Sequence, residues 1–273
     1  MRWIVVPVIA LGMLVIVPLG LRLLEAPGLG GVRRWWRPAA AAGVVALLLP
    51  AGPPAAAIAV LYAAATVALA ATAARRLTAA GGGSVLRPAE VAAATALVTP
   101  AVAGISLVAE RGGWELLGFG PKILLLTVAH FHFAGFAAAL VAGLVGRLPD
   151  AGRAASAAAL TVPVGTLLVL AGFFLGDYVE LAGAAVLTLG MWVVGALTWH
   201  ARSATPDRVT RVLLATSAAV LVVTMVLALD WALGNAVGVP ALSLTWMAAT
   251  HGILNAVGFA LCAVLAWGRL SSR

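Results

Sequence analysis

Charged residues are scarce in this sequence, which has a single lysine, nine acidic residues and a single cysteine. Only 10% of the 273 residues are charged and 63% are hydrophobic, whereas a soluble domain is about 25% charged. So few charges cannot cover the surface of a soluble globule, and so hydrophobic a chain does not stay disordered. The single cysteine, Cys262, excludes an intrachain disulfide. These absences leave an integral membrane protein.

Long apolar runs divide the chain into nine predicted membrane spans. They cover roughly residues 3–24, 37–50, 54–74, 89–109, 121–146, 155–176, 179–200, 209–230 and 240–268. The second run is short: at about 1.5 Å per residue it does not cross a hydrocarbon core of about 30 Å, so a re-entrant segment is the alternative. We expect an all-α helical bundle that forms a single transmembrane domain over residues 1–273, with no soluble domain.

The basic residues account for the net charge of +8. If all nine segments span, fourteen arginines fall on one side and only Arg2, Arg111 and Lys122 on the other. Because cytoplasmic loops are enriched in basic residues, this split favours nine spans, an outer N-terminus and a cytoplasmic C-terminus. Basic residues in short gaps do not form the massed surface that nucleic acid requires. The composition is typical of a GC-rich bacterium, and we expect a multi-pass protein of the bacterial plasma membrane.

Acidic residues gather at the predicted outer ends of the spans. The outer acids are Glu110, Glu115, Asp177, Glu180 and Asp230. Few basic partners lie on that side, and four of these carboxylates are candidate acids: Glu110, Asp177, Glu180 and Asp230. Asp177, Tyr178 and Glu180 are expected to form the tight outer turn between spans six and seven, for which a merely solvated turn is the alternative.

Two spans carry histidines at similar depths. His130 lies nine residues after Pro121, about 13 Å from that end, and His251 lies eleven residues after Pro240, about 16 Å deep. Ionisable residues inside a membrane are costly and face a bundle interior or a cavity. We therefore expect one shared site, slightly to the outer side of the midplane, with hydrogen bonding across the bundle as the alternative role.

Helical spacing limits what these histidines do together. His130 and His132 point about 200° apart on a regular helix, so they cannot both bind one metal ion; one would face the pocket while the other bonds a neighbouring helix. Neither HExxH nor CxxCH occurs, so we expect no metal site and no cofactor. His251 and Asn255 are i, i+4 neighbours that form a polar stripe.

Aromatic and apolar residues surround these polar positions. The candidate substrate-binding residues are Thr127, Phe131, Phe133, Phe136, Tyr178, Trp231, Trp246 and Met247. Ordinary packing is the alternative for the phenylalanines, and an interfacial aromatic belt is the alternative for the tryptophans.

Two segments, VAHFHFAGF at 128–136 and HGILNAVGF at 251–259, resemble signatures of the YndJ-like family of bacterial multi-pass membrane proteins. The signatures are an HFHxAGF-type and an HGxxNAxGF-type motif, and the resemblance covers the latter half of the chain. It implies that His130, His132, His251 and Asn255 belong together.

These features favour an integral-membrane enzyme that performs acid–base chemistry on a lipophilic, isoprenoid-type substrate in the outer half of the membrane. The reaction would be a protonation-initiated cyclisation or isomerisation. The candidate catalytic residues are His130, His132, His251, Asn255, Asp177, Glu180, Asp230 and Glu110. No DDxxD-type motif is present, which argues against initiation by loss of diphosphate. Expected partners are the substrate and membrane lipids, with no nucleic acid; the oligomeric state is open.

Two alternatives remain at the level of sequence. Histidines at one depth also suit a metal or haem protein, although HxH on a helix has poor chelate geometry. A proton-coupled transporter is the second, and against it stands the prediction that every Asp and Glu lies near a span end.

Overall fold

The computed structural model describes residues 1–79, 87–148 and 151–272. Within these ranges it contains nine long helices. They are α1 Arg2–Leu21, α2 Leu29–Leu48, α3 Pro53–Ala79, α4 Pro88–Gly112, α5 Pro121–Arg147, α6 Gly152–Leu175, α7 Asp177–Ala204, α8 Arg208–Val237 and α9 Leu244–Ser271. Eight of these described helices, all but α2, are long and apolar enough to cross a membrane. The predicted all-α, multi-pass membrane fold is confirmed.

Proline and glycine mark several helix starts. Pro53, Pro88 and Pro121 are the first residues of α3, α4 and α5, where the missing N–H has no helical partner to lose and φ suits the helix. Gly176 alone joins α6 to α7, with a φ of 112° that side-chain-bearing residues rarely adopt. The predicted outer turn is therefore wrong: Asp177, Tyr178 and Glu180 form the first helical turn of α7.

The second predicted span corresponds to a helix that is longer than predicted. Helix α2 begins at Leu29 rather than near residue 37, and it has 20 residues. The apolar run begins only after the arginines at 33, 34 and 37, yet these side chains are carried on the helix itself. The Arg33 guanidinium donates to the carbonyls of Leu21 and Leu24, so its charge reaches back to the end of α1. Long basic side chains of this kind extend a helix beyond its apolar run.

Two further boundaries correct the sequence prediction. Helix α8 continues to Val237, so Asp230 lies seven residues inside its end instead of at the outer edge of a span. Helix α9 begins at Leu244 instead of Pro240, because the Ser243 hydroxyl caps it by accepting from the Trp246 N–H. His251 is thus seven residues into its helix, about 10 Å, instead of the expected 16 Å.

Three helices contain π-helical turns, in which the backbone hydrogen bonds join residues five positions apart instead of four. The turns are Gly12–Ile16 in α1, Phe131–Ala137 in α5, and Ala248–Gly252 with Leu254–Leu261 in α9. Both segments singled out in the sequence coincide with such turns. Short π-helical turns inside α-helices occur frequently at functional sites.

The helices group into two compact units. The N-terminal unit contains α1, α2, α3, α4 from Ala93 onward, and α5 up to Ala137. The C-terminal unit contains the remaining part of α5 and helices α6 to α9, together with the first residues of α4. The expectation of one domain over residues 1–273 stays a prediction.

Glycines bring α6 and α7 into close contact within the C-terminal unit. A Cβ atom at Gly165 would lie 2.5 Å from the Leu187 nitrogen, and one at Gly172 would lie 2.4 Å from the Glu180 nitrogen. Gly183 and Gly190 on α7 face α6 in the same way. Close backbone approach through small residues is how membrane helices associate where water supplies no hydrophobic drive.

Helix ends in the N-terminal unit are joined by an ion-pair cluster that we call the clasp, formed by Arg2, Glu110 and Arg111. Arg2 Nη1 and Arg111 Nη2 donate to Glu110 Oε1 at 2.7 and 2.6 Å. The same arginines donate to the Leu47 and Leu49 carbonyls, which end α2. The start of α1 therefore meets the ends of α2 and α4.

The opposite ends of the same helices also meet. Arg33, near the start of α2, bonds carbonyls at the end of α1, and Arg76, near the end of α3, donates to the Glu25 carbonyl. Helix α2 thus runs the full length of the unit, antiparallel to α1, and returns the chain to the clasp end. This favours a crossing segment over a re-entrant one.

Candidate functional site

The centre of the N-terminal unit is a hydrogen-bonded pair of buried polar rings, Tyr62 on α3 and His132 on α5. Their side chains have no exposed surface, and Tyr62 Oη lies 2.5 Å from His132 Nε2. His132 Nδ1 lies 2.6 Å from the Val128 carbonyl oxygen. Every polar atom of the imidazole is therefore engaged.

The partners of His132 determine its tautomer. A carbonyl only accepts hydrogen bonds, so Nδ1 carries the proton and donates it to Val128. In the neutral ring Nε2 is then an acceptor, and the Tyr62 hydroxyl donates to it. The pair is a phenol that donates to the Nε2 lone pair of a neutral imidazole.

A third aromatic ring extends this pair. Trp36 on α2 is 1% exposed and contacts Tyr62 edge-on, with ring centroids 5.6 Å apart. Its indole Nε1–H donates to the Met13 carbonyl at 2.9 Å. Met13 lies in the π-helical turn of α1. The turn thus supplies an acceptor that holds Trp36 against Tyr62.

Helix α1 approaches His132 through Gly12. A Cβ atom at Gly12 would lie 2.9 Å from both Cβ and Cγ of His132, closer than real contacts allow. Since Gly12 begins one π-helical turn and His132 lies in another, two locally widened helices meet at this imidazole. Only a residue without a side chain leaves room for it.

His251 is held by a separate ring of hydrogen bonds in the C-terminal unit. His251 Nδ1 donates to the Thr224 carbonyl at 2.8 Å, and Asn255 Nδ2 donates to His251 Nε2 at 3.1 Å. The Thr224 hydroxyl closes the ring by donating to Asn255 Oδ1 at 3.0 Å. Thr224 belongs to α8, so the ring fastens α8 to the π-helical part of α9. His132 and His251 each have their own partners, and one shared site stays a prediction.

The remaining members of the first motif divide between surface and interior. His130 is exposed and its ring contacts Phe131 edge-on. Phe131, Phe133 and Phe136 are buried. Thr127 is half-buried, and its hydroxyl donates to the Ile123 carbonyl of its own helix. As the two-residue spacing implies, His130 and His132 lie in different surroundings.

The candidate carboxylates are placed differently from one another. Glu110 is 3% exposed and is held by Arg2 and Arg111 in the clasp, so two of the three basic residues expected on this side are its partners. Asp177 is exposed, while Glu180 and Asp230 are half-buried. The clasp makes Glu110 a structural ion pair that ties three helix ends together.

The other predicted substrate-binding residues belong to the C-terminal unit. Met247 is buried and Trp231 half-buried, whereas Trp246 and Tyr178 are 62% and 72% exposed. The exposed pair has the surface character of interfacial aromatic residues.

A bound metal ion would need several donor side chains grouped around one point. Among residues 1–79, 87–148 and 151–272, no three His, Cys, Asp or Glu side chains are grouped so as to hold a metal ion.

Comparison with known proteins identifies the family. The family model described as YndJ-like protein matches residues 7–259, almost the whole chain. The chain belongs to the YndJ-like family. Within the curated proteins it is similar to the uncharacterized membrane protein YndJ of Bacillus subtilis (strain 168), 25% identical over 178 residues. That match covers 62% of this chain and 32% of the relative, so the chain spans about a third of the relative's length. No solved structure is a significant match.

These findings establish a multi-pass membrane protein of the YndJ-like family. The match begins near the N-terminus, so the family resemblance extends well beyond the latter half of the chain in which the two motifs lie. Whether the two motifs are the family's signatures stays a prediction.

Sequence reasoning missed Tyr62, Trp36 and Thr224. Tyr62 is one of two tyrosines in the chain and lies in an alanine-rich span, where a polar ring tip requires a partner. Thr224 is the single hydroxyl in the run VLVVTMVLAL of α8. Lone polar groups inside apolar spans are the signal that could have found both residues.

Proposed function

We propose that the protein is an integral-membrane enzyme that isomerises a lipophilic, isoprenoid-type substrate by acid–base chemistry at Tyr62 and His132. The observation that carries this proposal is the 2.5 Å hydrogen bond between Tyr62 Oη and His132 Nε2, in a site without exposed surface. Proton transfer by positioned side chains needs hydrogen-bond reach first, and this pair has it.

Tyr62 and His132 together can supply and accept every proton that such a reaction moves. The Tyr62 hydroxyl donates its proton to one carbon of a substrate double bond, which leaves a carbocation and a tyrosinate. His132 Nε2, which no longer accepts from Tyr62, then takes a proton from a neighbouring carbon of the cation, and the imidazolium that forms keeps its Nδ1–H bond to the Val128 carbonyl. Nε2 finally returns this proton to the Tyr62 oxygen. The substrate leaves with a shifted double bond, and no oxidant or cofactor is consumed.

Access to the pair requires helix movement, because both side chains are fully buried. The π-helical turns at 12–16 and 131–137 adjoin His132, and such turns interrupt the regular hydrogen-bond ladder. Three buried phenylalanines, Phe131, Phe133 and Phe136, lie on the same stretch of α5, and we propose that they contact the hydrocarbon chain once the helices have moved. This role replaces the outer carboxylate with Tyr62 as the proton donor.

Deuterium incorporation tests the proposal even while the substrate is unidentified. Purified protein in nanodiscs is incubated in D2O with a bacterial membrane lipid extract, and carbon-bound deuterium is measured by mass spectrometry. We expect labelled isoprenoid lipid with the wild type and a rate about 10²- to 10⁴-fold lower for Tyr62→Phe. Tyr178→Phe changes the other, exposed tyrosine and should retain the rate. No carbon-bound deuterium with folded wild-type protein contradicts the proposal, and loss of activity in Tyr178→Phe alone would move the site to α7.

A proton-coupled transporter is the second candidate, favoured by Asp230. This carboxylate lies seven residues inside α8, so one of the acids is not at the end of its helix. Acidic residues within membrane helices are typical of proton pathways. Proteoliposomes with an imposed pH gradient test it: Asp230→Asn should abolish proton flux if the protein is a transporter, while flux identical to that of empty liposomes excludes this function.

A further inference from the structure

A buried hydroxyl without a hydrogen-bond partner lies beside the VAHFHFAGF segment of α5. Thr99 on α4 is 6% exposed, and its Oγ1 has no hydrogen-bond partner among the residues that the structure describes. Within the described part of the N-terminal unit, it is the single buried side-chain oxygen or nitrogen in this condition. Burying a hydroxyl without a partner costs free energy, so a partner is expected for it.

The position of Thr99 connects it to the site. A Cβ atom at Gly135 would lie 2.8 Å from Thr99 Cβ and 2.9 Å from Thr99 Oγ1. Gly135 belongs to the same π-helical turn as His132, three residues further on. The Thr99 hydroxyl is therefore packed against the turn that carries His132, one member of the proposed acid–base pair.

The same turn of α4 presents a second polar group. Thr99 is followed by Pro100 inside the helix, and proline has no N–H to give to the carbonyl four residues earlier, that of Ala96. A hydroxyl donor and a carbonyl lacking its helical donor thus lie within one turn. Both lie near the middle of α4, eleven and eight residues after Pro88, at a depth where a membrane offers no polar partners.

We propose that Thr99 binds a neutral oxygen function on the substrate, so that the substrate class is an oxygenated isoprenoid, with the Thr99 hydroxyl donating to that oxygen. An alcohol also donates to the Ala96 carbonyl, whereas a ketone only accepts; the alcohol is therefore the better match. A diphosphate is a poorer match, because a hydroxyl and a carbonyl do not neutralise its charge. The isoprenoid part of this inference rests on the proposed function. The oxygen atom on the ligand is inferred from the unpartnered Thr99 hydroxyl alone.

Binding of three matched probes tests the proposal. A C15 isoprenoid alcohol, the corresponding ketone and the corresponding hydrocarbon are titrated into the full-length chain in nanodiscs, with tryptophan fluorescence as the readout. We expect the alcohol to bind most tightly and the hydrocarbon most weakly. Thr99→Val should weaken alcohol binding about 3- to 10-fold, the worth of one hydrogen bond, without changing hydrocarbon binding. Thr99→Ser, which keeps the hydroxyl, should restore it.

Thr161→Val serves as the matched control, because the Thr161 hydroxyl already donates to Ala157 of its own helix. It should bind all three probes like the wild type. Equal affinities for alcohol and hydrocarbon overturn the proposal, as does unchanged alcohol binding in a folded Thr99→Val protein, which would leave water as the partner of Thr99. Ketone binding tighter than alcohol binding would retain the Thr99 contact and remove the Ala96 one.

The two proposals fail separately. Loss of the alcohol preference in Thr99→Val, combined with no deuterium incorporation in the wild type, retains the oxygen site and rejects the isomerisation. Deuterium incorporation with no alcohol preference does the reverse.

Discussion

His132 can pack against α1 because Gly12 has no Cβ atom. The imidazole is fully buried and is fixed by Val128 on one side and Tyr62 on the other, so it cannot rotate away from a new neighbour. The nearest atoms to a Cβ at Gly12 are the Cβ of His132 and the Cγ and Cδ2 of its ring. Relief of a clash there has to come from movement of a helix.

We therefore predict that Gly12→Ala destabilises the protein by about 1–3 kcal/mol, the usual cost of overpacking, and reduces deuterium incorporation. Gly30→Ala on α2 is the matched control, because a Cβ there meets nothing within 4 Å. Thermal unfolding in detergent measures the first effect. A Gly12→Ala protein as stable as Gly30→Ala would show that α1 does not pack against His132 in this way.

At the scale of helices, local chemistry determines the ends. Helix α8 begins after Asp207, whose side chain accepts from the Thr210 N–H at 3.0 Å and from its hydroxyl at 2.5 Å. Arg269, near the end of α9, donates to the same carboxylate at 2.9 Å. One residue thus caps α8 and ties α9 to its start. The hydrogen bond from the Thr210 hydroxyl, followed by those from Arg269, lowers the pKa of Asp207 below its usual range.

A lowered pKa in the folded state makes this contribution depend on pH in one direction. The stabilisation by ionised Asp207 is present above the unfolded-state pKa of about 3.9 and is lost as the pH falls through the lower folded-state pKa. We predict that Asp207→Ala has a lower Tm than wild type at neutral pH. Asp207→Asn, which still caps the helix, should fall between them.

Thermal unfolding of the three proteins between pH 3 and pH 7 measures this effect. The difference between wild type and Asp207→Asn should shrink as the pH falls below about 4, because only the charge distinguishes them. A difference that stays constant across this range would show that the charge of Asp207 adds nothing to stability.

The direction of each helix determines which charged residues lie on the same side of the membrane. The clasp collects the start of α1 with the ends of α2 and α4, and the arginines at 33 and 76 lie at the opposite ends of their helices. This alternation matches the distribution of arginines in the sequence. We therefore propose that the clasp end is external and that the arginine-rich end faces the cytoplasm.

Cysteine accessibility tests this topology, and the chain suits it because it has a single cysteine. In a Cys262→Ser background, Ala51→Cys should react with a membrane-impermeant maleimide in intact cells. Gly31→Cys, at the other end of α2, should react only after permeabilisation. Labelling of both from one side would make α2 re-entrant, and the reverse pattern would invert the orientation.

Much of the fold could be predicted because membrane helices are dictated by composition along the chain. Apolar length, proline at helix starts and arginine in the loops are local properties, so the spans and their alternation follow from them. The errors fell at helix ends. Helix α8 continues past Asp230 although the apolar run stops there, and α9 begins after Pro240, at the residue that follows the Ser243 cap.

The sequence by itself determined an all-α membrane protein and pointed to the histidine-bearing motifs, since charge and hydropathy are properties of individual residues. Only the tertiary structure decided the partners: Tyr62 for His132, Thr224 for His251, and two arginines for Glu110. These partners lie up to 108 positions apart along the chain. A hydrogen bond depends on distances of a few ångströms between side chains, and helix packing alone brings such distant residues together.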